Sequence, residues 1–105
     1  MGYCMSMSKS SFFVSSENVG RFLAVLWKYP YDYELDTDGN IKKIKYVGEV
    51  LGDDYSLFQK VAPYVRDGSF IEMYGEDGEQ WRWVFKGGKC REIVARVTWD
   101  SAYGL

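Results

Sequence analysis

From Asp67 to Trp99 the chain alternates apolar and polar residues in three runs, broken by glycine-bearing turn signals at Asp77-Gly78 and Gly87-Gly88. Alternation of period two flanked by such turns predicts a three-stranded antiparallel meander. A type I turn over Gly75-Glu76-Asp77-Gly78, with Gly78 left-handed as a bulge, would set Tyr74 opposite Gln80 and Glu72 opposite Arg82. Ile71, Met73, Trp81, Trp83 and Phe85 would then share one apolar face. A two-residue turn at Asp77-Gly78 would instead drop Glu72 among the tryptophans, which the cost of an unpaired buried carboxylate disfavours. In the last run, Cys90 to Trp99, the set Ile93, Ala95, Val97 and Trp99 is expected to face the core, with Glu92, Val94, Arg96 and Thr98 outward. The length of the Gly87-Gly88 loop leaves the register of that run open.

Earlier in the chain, Tyr3, Met5 and Met7 alternate with Cys4, Ser6 and Ser8, which predicts a first strand with one buried face. Ser15-Ser16-Glu17-Asn18 supplies hydroxyl caps for a helix over about residues 17–28, whose apolar stripe is Val19, Phe22, Leu23 and Leu26, widened by Trp27. Pro30 ends it. Tyr31–Leu35 and Ile41–Val47 flank the turn cluster Asp36-Thr37-Asp38-Gly39-Asn40 and predict a hairpin, although Lys42, Lys43 and Lys45 blur the inward face of its second strand. Gly52-Asp53-Asp54 offers a cap for a second helix carrying Leu57, Phe58, Val61 and Val65, whose regular part should stop near Ala62, before Pro63. The order strand, helix, two strands, helix, three strands fits a single α+β domain over residues 1–105. The expected sheet is antiparallel, of about five to six strands with two helices packed on one face, ferredoxin-like with a C-terminal three-stranded meander.

Composition then narrows the chemistry. At 105 residues with 47% apolar and 27% charged residues the chain is of ordinary globular type, and a net charge of −2 gives no field that would hold a polyanion, so nucleic acid is disfavoured as a partner. No apolar run is long enough for a membrane span, and Cys4 and Cys90 are expected as reduced thiols of a cytoplasmic protein. A disulfide between them would require the first and last strands to be neighbours. The absence of histidine removes the commonest general base and the commonest metal ligand, so neither an enzyme, a metal site nor a cofactor is expected. Asp36-x-Asp38-Gly39-Asn40 has calcium-loop spacing at its start only, since Ile41 and Val47 stand where such a loop needs Gly and Glu. Tyrosine is abundant, nine residues beside six Phe and four Trp, more than a core of this size can enclose, so several tyrosines should be exposed and available for contact with another protein.

The segments Asp67-Gly68-Ser69-Phe70-Ile71-Glu72-Met73, Gly75-Glu76-Asp77-Gly78, Trp81-Arg82-Trp83-Val84-Phe85 and Gly88-Lys89-Cys90 together resemble a signature of small proteins of bacteria, phages and plasmids, similar to the YubB ferredoxin-like group. Asp38-Gly39-Asn40-Ile41, Gly52-Asp53 and Ala62-Pro63-Tyr64-Val65 extend the resemblance over roughly Tyr31 to Trp99. The chain departs from that pattern in lacking a longer, partly helical stretch between its first helix and the Asp-Gly-Asn turn. The resemblance implies a mobile-element setting, in which small non-catalytic proteins bind host defence components. The expected function is thus a protein-binding module, with Asp53, Asp54, Tyr55, Tyr74, Glu76, Asp77 and Glu79 as its contact residues. Two alternatives stay open: a small-ligand or nucleotide binder using Trp81, Trp83, Arg82, Arg91 and Arg96, and a structural homodimer joined through a sheet edge or face.

Overall fold

The computed structural model describes residues 4–48 and 53–95. In chain order the elements are β1 (Met5–Ser11), α1 (Ser16–Leu26), β2 (Tyr31–Leu35), β3 (Ile41–Tyr46), α2 (Asp54–Val61), β4 (Phe70–Gly75), β5 (Gln80–Lys86) and β6 (Lys89–Val94). A 3₁₀ turn, Ala62–Tyr64, follows α2 where Pro63 interrupts it. The fold is α+β, and β4, β5 and β6 form the expected meander. The strands divide, however, into a four-stranded antiparallel sheet, ordered β1-β4-β5-β6, and a separate β2-β3 hairpin, where a single sheet was anticipated. Phe12 stands at the division. It leaves the alternation of β1 to fill the space between Phe22 and Phe85, with ring centroids 5.7 and 5.6 Å away. The chain then meets the hairpin at one bridge, Val14 to Ile41, closed by hydrogen bonds of 3.0 and 2.9 Å.

The β4–β5 register is the anticipated one, with Glu72 opposite Arg82 and Tyr74 opposite Gln80. Gly78 N donates to Gly75 O at 3.0 Å and Gly78 has φ of +84°, the left-handed conformation that only glycine takes cheaply. Ile71, Met73, Trp81, Trp83 and Phe85 are all buried on the helix side. On the open side Arg82 Nε reaches Glu72 Oε1 at 2.7 Å, and Ser8 Oγ donates to the other carboxylate oxygen at 2.8 Å.

The last strand corrects the reading of its faces. Gly87 and Gly88, with φ of +61° and +75°, form a two-residue turn that pairs Lys86 with Lys89, Trp83 with Glu92 and Trp81 with Val94. Cys90, Glu92 and Val94 therefore share the tryptophan face, while Ile93, half exposed, lies beside Arg82 on the open face. Val97 and Trp99 lie outside the described residues. Trp27 is a second correction: it is 74% exposed, beyond the stripe of α1 that packs inward through Phe22 and Leu26. The serine hydroxyls do not cap α1 either, because Ser16 N donates to Asn40 Oδ1 of the hairpin turn at 2.7 Å. In β3 a bulge at Lys42, opposite the Glu34–Leu35 step of β2, lets Ile41 and Ile44 both point inward despite their spacing. β1 and β6 occupy opposite edges of the sheet, and both cysteines are free, Cys4 exposed and Cys90 buried. Among the described residues no helix is long and apolar enough to cross a membrane.

Phe58 of α2 joins the two sheets. Its ring lies 5.2 Å from Trp83, 5.8 Å from Phe85 and 5.7 Å from Tyr31. The eight residues of α2 are thereby fixed over β5, with the start of the helix directed at the end of the meander.

Candidate functional site

Asp53 caps α2, its carboxylate accepting from Ser56 N at 3.2 Å. That leaves Asp54 as the first helical residue, where the positive end of the helix favours an anion. Phe58, four residues on and on the same face, is anchored in the core. Asp54 is accordingly drawn inward and is only 3% exposed. Burial pushes its carboxyl up to about 6, the Tyr31 hydroxyl pulling it down and Asp53 adding to the rise. Tyr31 is driven far above the ordinary phenol range by burial and by Asp54, and Tyr46, whose ring lies 5.1 Å from that of Tyr31, is raised by burial and the same carboxylate. Yet neither Asp54 Oδ2 nor Tyr31 Oη completes a hydrogen bond of good geometry, and the buried Nε1 of Trp83 has no acceptor. Buried polar groups without partners are uncommon enough in folded proteins that each requires a cause.

A cleft of about 340 Å³ opens beside these groups. The start of α2, with Asp53, Asp54 and Tyr55, forms one wall, and Trp81 and Trp83 of β5 form the floor. Glu79 and Glu92 complete the rim, so among the described residues four carboxyl groups and no lysine or arginine border the space. Tyr55 is 64% exposed and its ring lies 6.4 Å from Trp83. Among the described residues no three acids converge as a metal site would need. The arrangement is a dispersed negative lining with aromatic walls and one inner carboxyl, which suits a cation carried on a larger ligand.

Of the expected contact residues, the structure brings Asp53, Asp54, Tyr55 and Glu79 together here. Glu76 and Asp77 stand on the exposed Gly75–Gly78 turn, and Tyr74 and Glu76 border a different hollow with Cys4, Met5 and Gly48 at the β1 edge. The expected ligand-binding set does not assemble. Trp81 and Trp83 face the helices, whereas Arg82 and Arg91 project from the opposite face, Arg82 engaged by Glu72 and stacked 4.8 Å over Phe70. Arg96 lies outside the described residues. No family model, curated protein or solved structure matches the chain. The site is therefore read from its own geometry. Two residues of the cleft, Glu92 and Val94, point outward on sequence alternation alone, and reading Gly87-Gly88 as a two-residue turn would have placed both correctly.

Proposed function

We propose that this protein is a non-catalytic binding module of phage or mobile-element origin that attaches to another protein, with a bacterial defence component as the partner class the sequence resemblance implies. The observation that supports the attachment is the grouping of exposed rings and apolar side chains with negative charge. Tyr55 and Val94, the latter 67% exposed, flank the acidic cleft, and Ile93 continues the apolar strip round the edge of β6. Interfaces commonly combine such an aromatic and apolar centre with a polar rim.

The test is capture of host proteins on the immobilised chain, compared with a variant carrying Glu79→Lys and Glu92→Lys. These positions are exposed, so the variant is expected to keep its fold, checked by circular dichroism. One stoichiometric partner lost in the variant supports the reading, and identical capture by both proteins refutes it. Native mass spectrometry of the purified protein separates the alternatives: a retained mass of a few hundred daltons absorbing at 260 nm would favour a nucleotide ligand, and a bare dimer a structural homo-oligomer.

A further inference from the structure

The net charge of −2 is an average over two faces of opposite sign. The helix side of the four-stranded sheet carries the acidic cleft, whereas the side chains of its other side are exposed or half-buried. The register places Lys9, Arg82, Lys86, Lys89 and Arg91 on that open side, against the single carboxylate of Glu72. Arg82 Nε at 2.7 Å and Ser8 Oγ at 2.8 Å already engage that carboxylate. The other four cations make no ion pair among the described residues. Lys86 stands directly opposite Lys89, a like-charge pair that costs stability until an anion screens it. Asp67, at the same end of the sheet, accepts from Gly87 N at 2.8 Å.

Two flat surfaces lie beside these charges. The Arg82 guanidinium is held by Glu72 and rests 4.8 Å over the Phe70 ring, with its side chain still 44% exposed. Tyr74, 43% exposed, is its diagonal neighbour across β4 and β5. Unpaired bases stack on tyrosine rings and on guanidinium planes, while basic side chains follow the phosphates. A hollow of about 700 Å³ runs along β6 past Lys86, Lys89 and Arg91, with Glu92 and Tyr55 on its far wall, and offers the phosphates a track.

We propose that the open face of the sheet binds a short stretch of single-stranded nucleic acid, its phosphates on Lys86, Lys89 and Arg91 and its bases against Arg82 and Tyr74. This site is separate from the protein-binding cleft and does not depend on it. Glu76, Asp77 and Glu79, at the β4–β5 turn, repel phosphate beyond Tyr74 and confine the strand to the Lys86–Lys89 side. An acidic protein surface would meet the same cations but would leave both stacking planes unused.

Fluorescence anisotropy of labelled oligo(dT) and oligo(U), about a dozen nucleotides long, tests this on the whole protein over a series of salt concentrations. With three phosphates neutralised, the logarithm of the association constant should fall against that of salt with a slope of about −2, and Lys86→Gln with Lys89→Gln should flatten it to about −0.7. Tyr74→Ala should weaken binding about tenfold at every salt concentration with the slope unchanged, and Tyr74→Phe should restore it. The substituted positions are exposed, circular dichroism checks the fold of each variant, and the slope of the native protein needs no variant. Competition by poly-glutamate as effective, charge for charge, as by unlabelled oligo(dT), or native affinity in Tyr74→Ala, would mark a surface for acidic proteins and overturn the proposal. Tighter binding of a duplex, or no binding at low salt, would overturn it as well. A host protein captured through Glu79 and Glu92 while the oligonucleotides fail to bind would leave the protein-binding reading standing and this one refuted.

Discussion

Asp54→Asn should make the isolated protein more stable at neutral pH and remove a step from its pH dependence. The carboxyl is raised from its ordinary 3.8 to about 6, chiefly by burial. The folded state holds this proton more tightly than the unfolded chain does, so the stability it confers is complete below about pH 4 and is lost as pH rises through about 6. At about 1.4 kcal/mol per tenfold difference in acidity, the shift corresponds to roughly 3 kcal/mol. Asparagine forfeits the attraction of an anion for the helix start, about 0.3–1 kcal/mol, which leaves a net gain of about 2–3 kcal/mol at pH 7. Urea denaturation of both proteins at intervals from about pH 4 to about pH 8 measures it, since m-values convert midpoints to free energies. Glu72, held low by Arg82 and Ser8, and Asp36, held low by Asn40, impose the opposite trend, gaining stability as they ionise. Both are common to the two proteins and cancel in the difference. The variant's advantage should therefore be smallest near pH 4 and grow by about 2–3 kcal/mol by pH 7. A difference that stays flat across that range, or a wild type that gains on the variant as pH rises, would refute the burial argument.

Three further outcomes follow from the packing. Phe58→Ala removes the ring that joins Tyr31, Trp83 and Phe85, and should cost about 3–5 kcal/mol by urea denaturation; a loss under about 1 kcal/mol would mean that α2 does not hold the two sheets together. Asn40→Ala deletes the acceptor for Ser16 N and a donor to Asp36, and should cost about 1–2 kcal/mol, whereas an unchanged midpoint would show that α1 needs no cap from the hairpin. Thiol labelling of the native protein should modify Cys4 quickly and Cys90 only on unfolding, because burial, with Glu92 nearby, pushes the Cys90 thiol up to about 12; two fast equivalents would contradict the placement of β6.

The β4–β5 register could be read from sequence because one slip would have buried Glu72 against Trp83, an error large enough for charge alone to decide. No comparable penalty guarded β6. Ile93 and Val94 are both apolar, so alternation could not rank them, and the turn geometry of two glycines set the faces instead. The helical stripe of α1 was visible, but its width was not, since Trp27 follows Leu26 at an angle that leaves the packed face. The cap of α1 was invisible for another reason: Asn40 lies 24 residues away and reaches Ser16 only through the folded hairpin. Asp54 illustrates the same limit at the site. Next to Asp53 it reads as one more surface acid, and its burial depends on Tyr31 and Phe58, which tertiary packing brings to it. Four of the seven expected contact residues assembled, Asp53, Asp54 and Tyr55 because they are adjacent in sequence and Glu79 because β5 starts beside them, whereas Glu76 and Asp77 of the preceding turn do not line the cleft.

The pairing of β1 with β4 has a consequence for how the chain is made. Ser8 and Glu72, joined across these strands, are 64 residues apart, while β4, β5 and β6 meet their neighbours within a few residues. At ribosomal speeds of about 5–20 residues per second the first strand waits several seconds for its partner, and closing so long a loop is slow relative to forming hairpins. Of the described strands, β1 is thus expected to dock last. Until it does, β4 presents an open edge that takes β1 from any copy within reach, so refolding at high concentration is expected to yield strand-exchanged dimers, and refolding at high dilution, monomers.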